Sequence, residues 1–266
     1  MKIKFTLSFV LCGISMFILY KAYHYYAEPQ PRLPYNLSCS SDTINIAYIG
    51  DSWAFLHKDH ECHIANILED TLKQPVKVYS FGICGLTSKE IYENIFDNNE
   101  LKQFFQKRYY RYCYISAGIN DTYKKMSSGY YEKSMDYIIQ FLLNNHIHPI
   151  IQEIPDYNIQ KTYSRQHFAR KILRRMSMLI TGTTIDCKQQ FRNALDNLIQ
   201  KEGYANKISI IRYKSWNNNY IHDLNTIYKE DGMHLNHKGY AVLDSVIAEE
   251  IVQILTLFRH GKRNSF

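Results

Sequence analysis

The sequence has no CxxC pair, and its 6 cysteines, at positions 12, 39, 62, 84, 113 and 187, have no neighbouring histidine pattern of the kind a zinc site uses. A structural metal is therefore not expected, and nothing in the chain asks for a cofactor. A basic block is also missing: the net charge of +7 comes from Lys and Arg scattered among Tyr, Asn and Ile. Nucleic acid is a poor partner for such a distribution. No repeat or low-complexity segment interrupts the chain. With 45% apolar residues in 266, it can bury one sizeable core, so one domain and one site are expected.

Charge is absent from Phe5 to Tyr20, between Lys2 and Lys4 on one side and Lys21 on the other. This run reads as a signal sequence or membrane anchor. Sixteen helical residues span roughly 24 Å, short for a bilayer unless Ala22 to Tyr26 extend the helix through an aromatic interface. A cleavage site before Glu28 would have Tyr25 where a small residue is wanted, so an uncleaved anchor (residues 1–27) is favoured over secretion after cleavage. The preceding lysines favour a cytoplasmic N-terminus and an exported domain. Residues 28–42, with Pro29, Pro31 and Pro34, read as an extended tether. The domain proper is placed at 43–258 and a tail at 259–266.

From Thr43 onward, short apolar runs alternate with amphipathic stretches, the pattern of a parallel sheet covered by helices on both faces. Strands are expected at Ile44 to Ile49, Val76 to Phe81, Tyr112 to Ala117, Pro149 to Ile154 and Ile208 to Tyr213. Helices are expected at His57 to Leu72, Ser88 to Ile95, Glu100 to Lys107, Tyr131 to Asn145, Thr162 to Ile180, Lys188 to Lys201 and His237 to Phe258. In such α/β sheets, function gathers in the loops at the carboxyl ends of the strands.

Those loops hold the polar signals. The first strand runs into Gly50-Asp51-Ser52-Trp53, which sets a serine hydroxyl at the sheet rim beside a helix N-terminus, where amides can stabilise negative charge. Gly82-Ile83-Cys84-Gly85-Leu86-Thr87 follows the second strand, and Gly118-Ile119-Asn120-Asp121 the third, placing an amide donor at the rim. Before the last helix stands Asp231-Gly232-Met233-His234, a spacing that lets a carboxylate orient an imidazole.

In this order and at these positions the residues resemble the SGNH (GDSL-type) hydrolase family, over roughly Ile44 to Leu257. Ser52, Gly85, Asn120 and His234 match the four residues that give the family its name, and Asp231 matches its triad aspartate. Leu235-Asn236-His237-Lys238-Gly239-Tyr240 resembles the family's continuation after the histidine, whereas Ser80 stands where many members carry Asn. There is no Gly-x-Ser-x-Gly elbow, which together with the short Asp-to-His spacing argues against an α/β-hydrolase.

The resemblance implies a flavodoxin-like three-layer sandwich with a five-stranded parallel sheet. It implies catalysis by Ser52, His234 and Asp231, with an oxyanion hole of the Ser52 and Gly85 amides and the Asn120 side chain. The expected activity is ester hydrolysis, with an O-acetyl group on a carbohydrate or cell-envelope glycan as leading substrate. An O-acyltransferase using the same residues, or an inactive glycan-binding protein, are the alternatives. Modification at Asn120-Asp121-Thr122, formally a glycosylation sequon, would block the oxyanion donor, which favours a bacterial source; with the anchor, the domain is then expected in the periplasm or at the cell surface. Trp216, Asn217, Tyr220 and His222 are expected in a loop near His234 suited to sugar contacts. Between Lys161 and Arg175, which holds basic residues and no acidic one, Phe168, Ile172 and Met176 are expected to face the core and the cations to form a solvated face, with contact to anionic glycan or lipid headgroups the second reading.

Overall fold

The computed structural model describes residues 2–32, 37, 43–60, 62–164, 166–217 and 219–263, with side chains from Val10 to Thr256. Helix α1 (Lys2–Tyr26) precedes β1 (Ile44–Gly50), α2 (Ser52–His57), α3 (His63–Leu72), β2 (Val76–Gly82), α4 (Ser88–Asp97), α5 (Asn99–Gln106) and β3 (Tyr112–Ser116). Then come α6 (Ile119–Lys124), α7 (Ser128–Asn144), β4 (His148–Gln152), α8 (Ile159–Ser164), α9 (Phe168–Thr181) and α10 (Lys188–Lys201). The chain ends with β5 (Ser209–Ile211), a 3-10 turn at Tyr213–Ser215, α11 (Tyr220–Thr226) and α12 (His237–Arg263).

The five strands are all parallel, in the order β2-β1-β3-β4-β5. Inner strand β1 is buried at every residue, as a parallel strand covered on both faces is, and reads as an apolar run broken only by Asn45, whose Nδ2 donates to the Tyr109 carbonyl. The strand order reverses beside β1, so the loops after β1 and β3 flank the crevice where such sheets bind ligands. Gly50 pairs with Ser116 across that crevice, and a Cβ on Gly50 would fall 2.2 Å from the Ser116 carbonyl oxygen. Only glycine lets the two strand ends meet so closely.

Several elements differ from expectation. The helix expected over His57 to Leu72 begins only at His63, as α3, and an unexpected short helix, α2, ends at His57: the Asp51 side chain caps α2 by accepting the Trp53 amide, and the chain turns at Lys58. The helix over Thr162 to Ile180 is split into α8 and α9, the second capped by His167. Helix α12 runs on past Phe258 to Arg263. Helices α6 and α11 were not expected, being too short to display a period.

The largest correction concerns α9. Phe168 is 73% exposed and Ile172 43%, Met176 is only half-buried, and the residues that α9 buries are Arg174, Ser177 and Thr181. The helix lies with its polar side inward.

Among the described residues no helix is long and apolar enough to cross a membrane. The C-terminal turns of α1 rest on the domain. Tyr25 is buried against Met126 and Tyr130, its hydroxyl lies 2.5 Å from Ser177 Oγ, and the Tyr26 hydroxyl donates to the Ile180 carbonyl. Lys89 Nζ donates to the Ala27 carbonyl, and Arg32 pairs with Asp97 at 2.5 Å.

Candidate active site

Ser52 is the first residue of α2, at the C-terminal rim of the sheet, where the opening amides of a helix have no partner within it. Its Oγ lies 2.9 Å from His234 Nε2, and His234 Nδ1 lies 2.6 Å from Asp231 Oδ2. With Nδ1 protonated toward Asp231, Nε2 is left to accept the serine hydroxyl proton. Ser52 is 9% exposed, whereas His234 and Asp231 are partly open to solvent.

Local chemistry explains the loop that carries the pair. Asp231 Oδ1 accepts the amides of Met233 and His234 at 2.8 and 2.9 Å, folding the intervening residues into a side-chain-capped turn. The Lys229 amide donates to the His234 carbonyl at 2.7 Å, and a bridge joins Tyr228 to Leu235. Asn236 then starts α12: its Oδ1 accepts the Gly239 amide at 3.0 Å while its Nδ2 donates to the carbonyls of Thr226 and Tyr228. Burial works to raise the Asp231 carboxyl, but the hydrogen bonds from the His234 ring and from the His234 and Met233 amides prevail and hold it below its usual range.

Asn120 follows β3 on α6, and its Nδ2 donates to Asp51 Oδ2 at 3.1 Å. One amide hydrogen is thereby held and the other left for a ligand. Asp51 is the functional residue that sequence reasoning passed over. It is fully buried, which pushes its carboxyl up to about 7 against the hydrogen bonds it accepts. The clue was its place directly before the serine, since Asp is a preferred helix N-cap.

Gly82 and Gly85 serve different ends. A Cβ on Gly82 would meet the Phe55 amide nitrogen at 2.2 Å, so this glycine lets β2 pack directly on the serine's helix. Gly85 has φ of +82° and open space where a Cβ would be, so its left-handed backbone shapes the turn after β2. Ser80 Oγ, at the position where the resemblance wanted Asn, lies 2.9 Å from His57 Nδ1.

The expected sugar loop is different in structure. Trp216 is 6% exposed and packs edge-on against Trp53 at 5.8 Å, and Asn217 is buried, donating to the Asp156 carbonyl and to Tyr228 Oη. These two support the core beneath the site and do not face a substrate. His222 is exposed on α11, and Tyr220 Oη donates to the Gly232 carbonyl. Asn218 lies outside the described residues.

Ligand-type side chains also meet behind the helix that carries Ser52, where atoms of His57, Cys62 and Asp244 all lie within 4.8 Å of one another. His57 Nε2 is 2.9 Å from Asp244 Oδ1, and Asp244 Oδ2 accepts the His63 amide at 2.9 Å. The ring and the carboxylate thus engage each other in this structure. A cavity of about 540 Å³ lies along edge strand β5, lined by His148, Ile208 and Ile254, at the end of the strands away from Ser52.

No protein-family model and no curated protein matches the chain. Solved structures do. An acetyl xylan esterase aligns at 15% identity over 78% of this chain and 100% of its own, with a TM-score of 0.55. A lipase/acylhydrolase from Enterococcus faecalis aligns at 16% identity over 78% and 95%, with a TM-score of 0.52. A variant of an acetyl-xylooligosaccharide esterase from Geobacillus aligns at 14% over 78% and 94%, also at 0.52. The chain therefore shares the fold of these esterase and acylhydrolase structures.

Proposed function

We propose that this chain is an SGNH-type carboxylic ester hydrolase that removes O-acetyl groups from a carbohydrate, held at a bacterial membrane by α1 with its domain exported. The observation that carries the reading is the contact of Ser52 Oγ with His234 Nε2 at 2.9 Å while Asp231 engages Nδ1 at 2.6 Å. Two of the similar structures are, by name, esterases of acetylated xylan or xylo-oligosaccharides, which favours an acetylated glycan as substrate class.

In this reading Ser52 Oγ attacks the ester carbonyl and His234 Nε2 takes its proton, while Asp231 keeps the imidazole in the required tautomer. The Ser52 and Gly85 amides and the free Asn120 Nδ2 hydrogen stabilise the oxyanion, and His234 returns the proton to the leaving alcohol. Water, deprotonated by His234, then attacks the acyl-serine and releases acetate. The anchor part of this reading rests on Lys2 and Lys4 ahead of the uncharged run Phe5 to Tyr20, and stands against the finding that no described helix is long and apolar enough to cross a membrane.

The test is acetate release from acetylated xylo-oligosaccharides and envelope glycans by the purified protein. Release that disappears in Ser52→Ala is the expected result. Absence of both acetate and fluorophosphonate labelling of Ser52 would end the assignment.

A further inference from the structure

Helix α9 is turned inside out for a helix on a protein surface. Phe168, Ile172, Leu173 and Leu179 are exposed at 73%, 43%, 45% and 85%, while the residues it buries are Arg174, Ser177 and Thr181. A soluble surface helix places its apolar stripe inward. Between these apolar side chains stand Arg170, Lys171 and Arg175, so the outward face is both apolar and cationic. That combination belongs to helices lying in the headgroup region of a membrane.

Alongside α9 run the last turns of α1, whose own Leu11, Ile14, Phe17 and Leu19 are exposed. Where the two helices and the end of α6 meet, a cavity of about 270 Å³ is lined by Lys21, His24, Lys124, Arg170 and Arg174, with no carboxylate among its lining residues. Lys124 is partly neutralised by Glu90 at 3.1 Å. Arg174 is 7% exposed, and its Nη2 donates to the Tyr123 carbonyl. Its Nη1 is buried with no hydrogen-bond partner. A buried guanidinium N–H without an acceptor is costly and marks a place where an anion is wanted. Guanidinium groups suit phosphate oxygens through their paired donors, and Lys21 and Arg170 add charge at the rim.

Resting on the reading of α1 as a membrane anchor, we propose that α9 lies at the membrane surface and that the α1–α9 cavity holds the phosphate of an anionic phospholipid headgroup, contacted by Arg174, Arg170 and Lys21. The apolar side chains of α9 then enter the acyl boundary, and its remaining cations meet neighbouring headgroups. The lipid would hold α1 and the domain in a fixed relation. Because α6 carries Asn120 at its start and Tyr123 and Lys124 at its end, the crevice would lie close to the membrane surface.

The test uses the full chain in nanodiscs of mixed phosphatidylglycerol and phosphatidylcholine, followed by native mass spectrometry of the lipids it retains. The wild type should retain phosphatidylglycerol over phosphatidylcholine by at least about tenfold. The double variant Lys21→Gln/Arg170→Gln should lose most of that preference while keeping its thermal melt, and added inorganic phosphate should not displace the lipid. Incorporation with no headgroup preference, or equal preference in the variant, would overturn the headgroup site and leave the anchor standing. Displacement by inorganic phosphate would assign the cavity to a free anion and overturn the lipid. Failure to enter nanodiscs at all would overturn the anchor and the proposal together.

Discussion

Asp51 and Asn120 are joined across the crevice between β1 and β3 by a hydrogen bond of 3.1 Å from Nδ2 to Oδ2, and the other oxygen of the same carboxylate accepts the Trp53 amide at 3.0 Å. One buried carboxylate thus fixes both the start of the helix that carries Ser52 and the amide proposed to meet the oxyanion. Asp51→Asn keeps an oxygen for the Trp53 amide but turns an NH₂ toward the Asn120 NH₂. Two donors then face each other, so Asn120 must rotate. Turnover should fall, by at most the roughly 10²–10³ that loss of one oxyanion donor costs. Unchanged kcat in the folded variant would show that Asn120 needs no such support.

Asn120→Ala itself should lower kcat by about 10²–10³ with a much smaller effect on KM, because its free N–H acts only when charge develops on the carbonyl oxygen. Steady-state kinetics on an acetyl ester decide this. A variant that raises KM alone would make Asn120 a substrate-binding residue.

Buried carboxyls give a pH signature. Burial raises Asp51 to about 7 and Asp121 to about 6, from an ordinary 3.8, despite the hydrogen bonds each accepts. Each folded-state value lies above its unfolded one, so the stability these groups contribute is full below about 4 and is lost as pH rises through about 6 to 7. His60 and His148, lowered by burial, act in the opposite direction. The comparison must therefore be between variants. Thermal melts across this range should show Asp121→Asn gaining stability relative to the wild type as pH rises. A constant difference at all pH values would mean that Asp121 titrates normally.

Strands β1 and β3 were legible because they are buried throughout and so appear as largely apolar runs set between polar loops, whereas edge strand β2 is buried only at Val76 and carries Lys77 and Ser80. The residues of the candidate site were legible as loop motifs at the ends of those runs, and the fold brings Ser52, His234 and Asp231 into contact. What could not be read were facts of orientation. The period of α9 reveals a stripe at Phe168, Ile172 and Met176, but a period does not say which side meets the domain, and here Arg174 does. Trp216 and Asn217 looked like sugar contacts because composition does not report burial. Asp51 was hidden by its motif, since a cap and an orienting carboxylate look the same in sequence.

Helix α2 is tied to the histidine's side of the site by more than the contact of Ser52 with His234. His57 closes α2 and meets Asp244 of α12 at 2.9 Å, and Tyr240 Oη donates to the Trp53 carbonyl at 3.0 Å. Asp244→Ala would leave the His57 ring N–H and the His63 amide without an acceptor in a buried place. Each orphaned group costs about 1–3 kcal/mol, so a total loss of roughly 2–6 kcal/mol is expected in denaturant unfolding. A loss below about 0.5 kcal/mol, the range of surface substitutions, would mean that the pair contributes nothing to holding α2 on α12.

Asp231 is expected to orient His234 and not to bind a metal. Its two oxygens are already engaged, Oδ2 with the His234 ring and Oδ1 with the Met233 and His234 amides. The close group of ligand-type side chains found among the described residues, His57, Cys62 and Asp244, includes neither Asp231 nor His234. Asp231→Asn keeps an oxygen for the turn but presents either an oxygen or an NH₂ to Nδ1. In the second case the ring is driven to the tautomer whose Nε2 carries the proton and cannot accept one from Ser52. The rate should then fall by up to about 10⁴, and by less where the amide turns its oxygen to the ring. Ester cleavage by the wild type should survive prolonged EDTA treatment. Loss of activity in EDTA that a divalent ion restores would place a metal in the reaction and overturn the serine mechanism, whatever the Asn variant does.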